Sequence, residues 1–238
     1  MQYRFTVIVP IYNEEGNLER VEKALTNFTS IAKFPTTILF VNDGSTDKSQ
    51  ELIEAICHRN EAFRYICLKS NVGLSAAIKA GIDYTKTELI GYIDGDLQTS
   101  PEDFNLLLEH IDSYDLVNGI RVHRQDNFVK KMSSKIANII RKAFTNDGMD
   151  DSACPLKVIK TAYAKRIPMF NGMHRFLPAL VMLNGGKIIQ IPVQHFPRIA
   201  GHTNFGIWNR MLGPFFDCFI YLWMKKKYIN YKITKQSE

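Results

Sequence analysis

Apolar residues fall along the first half of this chain in two kinds of block, which differ in period. Short, β-branched apolar runs occur at Phe5–Ile11, Thr37–Val41, Phe63–Leu68, Leu89–Ile93 and Leu116–Val117. Several are continuous rather than alternating, the pattern of strands buried on both faces as in a parallel sheet. Between them, Leu18, Val21, Leu25 and Phe28 recur at helical spacing, and Leu52, Ile53 and Ile56 form a second stripe. Ser100-Pro101-Glu102-Asp103 reads as a helix start, with a capping hydroxyl, a proline in the first turn and acids at the positive end of the dipole. Alternating strands and helices predict a doubly wound α/β sheet that takes its ligands at the carboxyl ends of its strands.

The pattern changes from Asp126. Lys130, Lys131, Lys135, Arg141 and Lys142 interleave with Met132, Ile136, Ile139, Ile140 and Phe144 at helical spacing, a basic amphipathic helix. Its charged side is either solvated or set against an anionic surface. The longest apolar segment, Met211 to Met224, is short of the ~20 residues that span a bilayer and carries Asp217, and Lys225, Lys226 and Lys227 follow at once. It suits a membrane interface, and equally a helix packed on the core with a solvated basic end.

With 238 residues the chain can bury a substantial core in one domain or in one domain plus a short appendage. The net charge of +6 is a mild excess. It fits an anionic substrate or membrane surface as well as nucleic acid, and no nucleic-acid partner is expected. Cys57, Cys67, Cys154 and Cys218 are scattered, without a CxxC pair or a histidine at zinc spacing, so a reducing cytosol is the expected compartment. The opening MQYRFTVIVPIYNEE runs directly into a strand pattern and has no signal-peptide character.

The densest chemistry lies in Tyr92-Ile93-Asp94-Gly95-Asp96-Leu97-Gln98. An apolar strand delivers two carboxylates, one residue apart, to its carboxyl end, and the intervening glycine lets the chain turn. Paired carboxylates followed by an amide can hold a hard divalent cation and leave positions for substrate phosphates. The same residues also make ordinary turns. Pro10-Ile11-Tyr12-Asn13-Glu14-Glu15 follows the first strand and Asn42-Asp43-Gly44-Ser45-Thr46-Asp47 the second. In a doubly wound sheet Tyr12, Glu14 and Asp43 would line one pocket, with Tyr12 against a base and the acids on base or ribose. The GxGxxG and Walker A patterns are absent, which counts against NAD and ATPase readings.

VIVPIYNEEGNL, VNDGSTDKS, NVGLSAAIKAGID and YIDGDLQTSPED occur in this order. With them the chain resembles the family 2 glycosyltransferases of GT-A fold, and within these the polyprenyl-phosphate sugar transferases of the dolichol-phosphate mannosyltransferase type. The resemblance spans roughly residues 4–206. It implies a GT-A type doubly wound, mostly parallel sheet flanked by helices over residues 1–206, with a C-terminal amphipathic, basic helical appendage over 207–238. Pro10, Tyr12, Glu14, Asp43, Asn71 and Asp94 would bind the donor nucleotide, and Asp94, Asp96 and Gln98 would hold Mg2+ or Mn2+. Arg121 of Gly119-Ile120-Arg121, Lys130, Ser134, Arg198 and Thr203 would bind the acceptor and its phosphates. Asp96, Asp151 and Arg121 would be the catalytic residues. The chain departs from the family at Asn42, where a second aspartate is common, at Pro155 in place of glycine, and at Asn204 in place of a lysine, which removes one cationic contact.

The reaction implied is one inverting displacement at the anomeric carbon, moving a sugar from a UDP- or GDP-sugar to a polyprenyl phosphate. Such a phosphate is largely ionised near neutrality, with a second pKa around ~6, and needs alignment rather than a base. If the acceptor is instead a hydroxyl of a glycan or glycolipid, Asp151 or Asp150 becomes the base. A catalytically silent nucleotide-sugar-binding subunit is the third reading. The expected location is peripheral, on the cytoplasmic, inner face of a membrane, held by the C-terminal helix or by a membrane-protein partner.

Overall fold

The computed structural model describes residues 2–122, 128–197, 207–229 and 235. Among the described residues seven strands form one sheet: β1 (Phe5–Ile11), β2 (Thr36–Asn42), β3 (Phe63–Cys67), β4 (Leu89–Tyr92), β5 (Leu116–Arg121), β6 (Lys157–Lys160) and β7 (Ile188–Val193). Their order is β3-β2-β1-β4-β6-β5-β7. β1 pairs in parallel with β2 and β4, β2 with β3, and β5 with β7, whereas β6 runs antiparallel to both its neighbours. The mostly parallel, doubly wound sheet expected from the apolar pattern is therefore present, with one reversed strand.

Of the strands read from the sequence, β1, β2 and β4 are buried on both faces, whereas the edge strand β3 is largely exposed. β1 alternates its side chains between two cores, Val7 and Val9 to one side and Ile8 to the other, all without exposure. The first core is closed by α1 (Leu18–Ile31), through the stripe Leu18, Val21, Leu25 and Phe28, by α2 (Ser49–Arg59), through Ile53 and Ile56, and by α4 (Phe104–Leu108). The second is closed by α3 (Leu74–Tyr84) and by α7 (Leu177–Leu183), with a short helical turn, α6 (Thr161–Ala164), beside it. Gly81 brings α3 against β1, since a Cβ there would sit 2.7 Å from Ile8 Cγ2.

Two expectations are changed. The start at Ser100 forms a 3-10 turn, Pro101–Asp103, that leads into α4, and it has no side-chain cap. The Ser100 hydroxyl donates to the Glu102 carboxylate instead of taking a backbone N–H. The basic helix is α5 (Phe128–Thr145), but Arg141 does not share its solvated face. It is buried in an ion pair with Asp147 and also donates to Met149 O at 2.6 Å, which ties α5 to the segment leading to Asp151.

Of the C-terminal segment, Ile207–Lys227 forms a helix, α8. Cys218, Tyr221 and Met224 are buried in the second core, with Tyr221 stacked on Phe176 at 5.7 Å between ring centroids. α8 also meets α5 through Phe144, whose ring lies 5.2 Å from that of Phe219. Among the described residues no helix is long and apolar enough to cross a membrane.

Candidate active site

The parallel order of β2, β1 and β4 sets their carboxyl ends side by side, with Ile11 opposite Asn42 and Ile8 opposite Tyr92. The loops after β1 and β2 are laced together by side chains. Asn13 N donates to Ser45 Oγ at 3.0 Å, Thr46 N to Asn13 Oδ1 at 2.8 Å, and Glu14 N to Ser49 Oγ at 3.0 Å. Asn42, where the family resemblance led us to look for an aspartate, closes its own turn by accepting from Ser45 N at 2.9 Å.

Asp43 and Asn71, both expected at the donor nucleotide, are brought together. The Asp43 carboxylate accepts from Val72 N at 2.9 Å, Gly73 N at 2.8 Å and Asn71 Nδ2 at 3.2 Å. It therefore fixes the loop that opens α3. Gly44 beside it has φ +66, and a Cβ would lie 2.4 Å from the Ser70 carbonyl carbon, backbone against backbone. Gly44→Ala is expected to destabilise the fold by on the order of 2–4 kcal/mol, visible as a lower urea midpoint. An unchanged midpoint would show that the loop yields freely.

At the end of β4, Asp94 is half-buried and Asp96 is buried. Tyr92, buried below them, donates its hydroxyl to Asp94 Oδ1. Burial, and then the neighbouring Asp96, push the Asp94 carboxyl up to about 6. Arg20 of α1 clamps the turn by donating to Asp96 O at 2.6 Å, and Gln98 N donates to Asp96 Oδ1 at 3.2 Å. Gln98 itself faces the segment after β7, where His195 Nδ1 lies 3.0 Å from Gln98 O and Gln98 Nε2 donates to Phe196 O at 3.4 Å. Among the described residues no group of three or more His, Cys, Asp or Glu is gathered as a metal cage. The donor set that does exist, two neighbouring carboxylates of which Asp96 opposes the ionisation of Asp94, with an amide nearby, suits a hard cation that relieves that repulsion.

A second charged group lies at the ends of β5 and β6. Arg121 and Asp151 form a two-pronged pair, Nε to Oδ2 at 2.7 Å and Nη2 to Oδ1 at 2.8 Å, and Arg121 N adds a bond of 3.2 Å. Lys157, buried beneath, donates to Ser152 O at 3.0 Å and to Cys154 O. Burial brings its amine down to about 8, while Cys154, Asp151 and Asp94 hold it up. Arg121 and Lys157 both steady the Asp94 charge, so the acidic pair and the Arg121–Asp151 pair form one electrostatic unit.

With this geometry in view, comparison with known proteins is decisive for the family. The sequence profile of glycosyl transferase family 2 matches residues 6–167. The chain belongs to glycosyl transferase family 2. This family 2 member is 31% identical over 205 residues to the undecaprenyl-phosphate 4-deoxy-4-formamido-L-arabinose transferase of Edwardsiella ictaluri, which covers 85% of this chain and 63% of that relative. The chain thus spans less than two thirds of the relative's length. Among solved structures, glucosyl-3-phosphoglycerate synthase from Mycobacterium tuberculosis, in complex with Mn2+, UDP and glucosyl-3-phosphoglycerate, superposes with a TM-score of 0.69 at 14% identity, over 92% of this chain and 80% of that one. A mannosyltransferase from Pyrobaculum calidifontis, in complex with GDP-Man and Mn2+, gives 0.60 at 15% identity, over 82% and 57%. At these identities the structures establish the shared GT-A fold.

Of the other expected residues, Pro10 and Tyr12 are half-buried at the end of β1, and Glu14 accepts from Asn17 Nδ2. Lys130 and Ser134 lie on α5, but their side chains fall outside the described residues, as do Arg198 and Thr203 entirely. Arg20 and His195 were not singled out from sequence, and Tyr92 and Lys157 were named only within longer stretches and given no role, although each touches the acidic turn or the residues packed around it.

His174 is a further buried group, in the turn Met173–Phe176, with Nδ1 2.7 Å from Ser75 Oγ. Burial pushes it down to about 3. Because the unfolded chain takes up this proton near pH 6.5 and the fold does not, stability is complete above that pH and falls below it by about 1.4 kcal/mol per pH unit. Urea midpoints between pH 7.5 and 5 should show this loss, and His174→Asn should flatten it. A wild-type midpoint that does not change to pH 5 would mean the imidazole protonates in place.

Proposed function

We propose that the protein is an inverting, divalent-cation-dependent glycosyltransferase that moves a sugar from a UDP- or GDP-sugar to a polyprenyl phosphate at the cytoplasmic face of a membrane. The observation that carries this reading is the Asp94–Asp96 turn at the carboxyl end of β4, held by Arg20 and Tyr92, beside the Arg121–Asp151 pair. The relative named for undecaprenyl phosphate supports the acceptor, and the two neighbours crystallised with Mn2+ and a nucleotide or nucleotide-sugar support the donor and the metal.

In this reading Pro10, Tyr12, Glu14, Asp43 and Asn71 hold the nucleoside at the ends of β1 and β2. Asp94, Asp96 and Gln98 hold Mg2+ or Mn2+, which supplies Lewis-acid neutralisation of the departing diphosphate. Arg121 presents fixed positive charge where negative charge develops, and Arg198 and Thr203 complete the phosphate contacts. Lys130 and Ser134 align the lipid phosphate. Residues 1–206 carry this chemistry and 207–238 contribute the membrane side.

The hydroxyl-acceptor alternative asks Asp151 to take up a proton. Both of its oxygens accept from Arg121, an arrangement that suits a positioning partner better than a general base. The test is nucleoside diphosphate release by the purified full chain, across UDP- and GDP-sugars, with Mn2+ and a polyprenyl phosphate. Release that requires both additions is expected. Release that persists in chelator, or none with any donor, overturns the reading.

A further inference from the structure

We propose that α5 and α8 together form one surface on which the protein lies against an anionic phospholipid bilayer, an inference that rests on the membrane-side acceptor proposed above. α8 supplies the larger open face. Its buried side is apolar, through Cys218, Tyr221 and Met224. Its outward side is apolar as well: Phe216 is 62% and Trp223 67% exposed, and Phe219, Ile220 and Leu222 are exposed beside them. Apart from Asp217, residues 215–224 are apolar all round, a pattern ordinarily covered all round, and half of this stretch is open.

α5 repeats the feature. Met132, Ile136 and Ile139, at spacings of four and three, are all exposed, Ile139 at 58%. The helices join where the Phe144 ring meets Phe215 at 6.4 Å and Phe219 at 5.2 Å. Nine of the exposed large apolar side chains lie on these two helices. A soluble monomer rarely leaves more than about 300–600 Å² in one apolar patch.

Charge selects the occupant. Neither helix bears an acid toward this side: α5 contains none, and Asp217, the one acid of α8, is turned into the fold against Gly172 and Arg175, 3.7 Å from the guanidinium. Lys225, Lys226 and Lys227 are exposed at the end of α8, directly after the aromatic stretch. Aromatics ending in a lysine collar match an acyl boundary beneath anionic headgroups. The surface belongs to the fold and is not a detachable tail, because the same helix closes the second core. The Arg141–Asp147 pair roots α5 at the segment leading to Asp151, so the bilayer would lie on the acceptor side of the site.

The test floats the full chain with vesicles of phosphatidylcholine alone and with 30 mol % phosphatidylglycerol, alongside three variants: Phe216→Glu with Trp223→Glu, Ile136→Glu with Ile139→Glu, and Lys225, Lys226 and Lys227 all to Gln. Thermal melts confirm that each variant is folded. The wild type should bind the anionic vesicles, and less in high salt. Each apolar pair should reduce binding at least tenfold, and the lysine variant on the order of 100-fold for anionic vesicles only. Wild type that floats with neither vesicle overturns the proposal, and so does an α5 pair that binds like wild type. Sedimentation showing a dimer that the α8 pair dissociates, without vesicle binding, would make the surface a self-association face and also overturn it. UDP and GDP binding with Mn2+, measured without vesicles, should be the same in all variants. A chain that binds vesicles but no nucleotide fails the proposed function alone.

Discussion

Asp96→Asn is expected to abolish cation-dependent donor binding and to lower kcat/KM by roughly 1,000-fold or more, the scale of a lost Lewis-acid site. The change should leave the fold intact. Asp96 is buried, but the bond that holds its turn, Arg20 to Asp96 O, uses the main chain, and an amide oxygen still accepts from Gln98 N. Calorimetric titration of Mn2+ in the presence of UDP or GDP, with a melt as control, measures both effects. Cation uptake at wild-type affinity in the folded variant would remove Asp96 from the metal set. Asp94→Asn should lose activity similarly yet gain stability. Its carboxyl, raised from 3.8 to about 6, favours the fold while protonated, and that support is lost as pH rises through about 6. At pH 7.5 a neutral amide in its place, still accepting from Tyr92, should raise stability by on the order of 1–2 kcal/mol in cation-free buffer. A gain in stability coupled to a loss of activity is the signature of a charge kept for function.

Much of this arrangement can be read from residue order because the informative strands are buried on both faces. β1, β2 and β4 are continuous apolar runs, and each ends where polar residues begin, so Tyr12, Asp43 and Asp94 could be assigned to one edge of the sheet. β6 and β7 left no such trace. β6 is four residues long and carries Lys157, a residue that ordinarily signals solvent, while β7 is half-exposed and contains Pro192. Lys157 is buried only because the carbonyls of Ser152 and Cys154 turn back to receive its amine, a loop geometry that spacing does not encode. Arg121 and Asp151 could each be named as site residues, but their pairing depends on β5 lying antiparallel to β6, a register decided by tertiary packing. Arg141 illustrates the opposite case. Its position on the helix fits a solvated cation, and only the turn through Asn146 and Gly148, which brings Asp147 back, makes it a core residue.

Breaking the Arg121–Asp151 pair from each side should separate the two acceptor chemistries. The pair is largely enclosed, with side-chain exposures of 14% and 8%. Arg121→Ala removes the bidentate partner of a nearly buried carboxylate, so it should destabilise the fold by about 3–5 kcal/mol and lower kcat by roughly 100- to 1,000-fold through lost electrostatic stabilisation. Asp151→Asn is gentler. Its amide oxygen can still receive the Arg121 Nε–H and the Arg121 backbone N–H, now both on Oδ2 in the wild type. If the acceptor is a phosphate, already ionised, Asp151→Asn should cost only about tenfold, because alignment is loosened while no proton transfer is lost. If the acceptor is a hydroxyl, the same change removes the base and should cost roughly 100- to 10,000-fold, matching or exceeding Arg121→Ala. The ratio of the two losses, measured at saturating donor with urea midpoints taken alongside, therefore reports the acceptor class independently of its exact structure. A pH profile sharpens the distinction. With a phosphate acceptor the acid limb should follow the acceptor's own ionisation near ~6 and persist in Asp151→Asn, whereas a limb that disappears with that substitution would make Asp151 the proton acceptor and the substrate an alcohol.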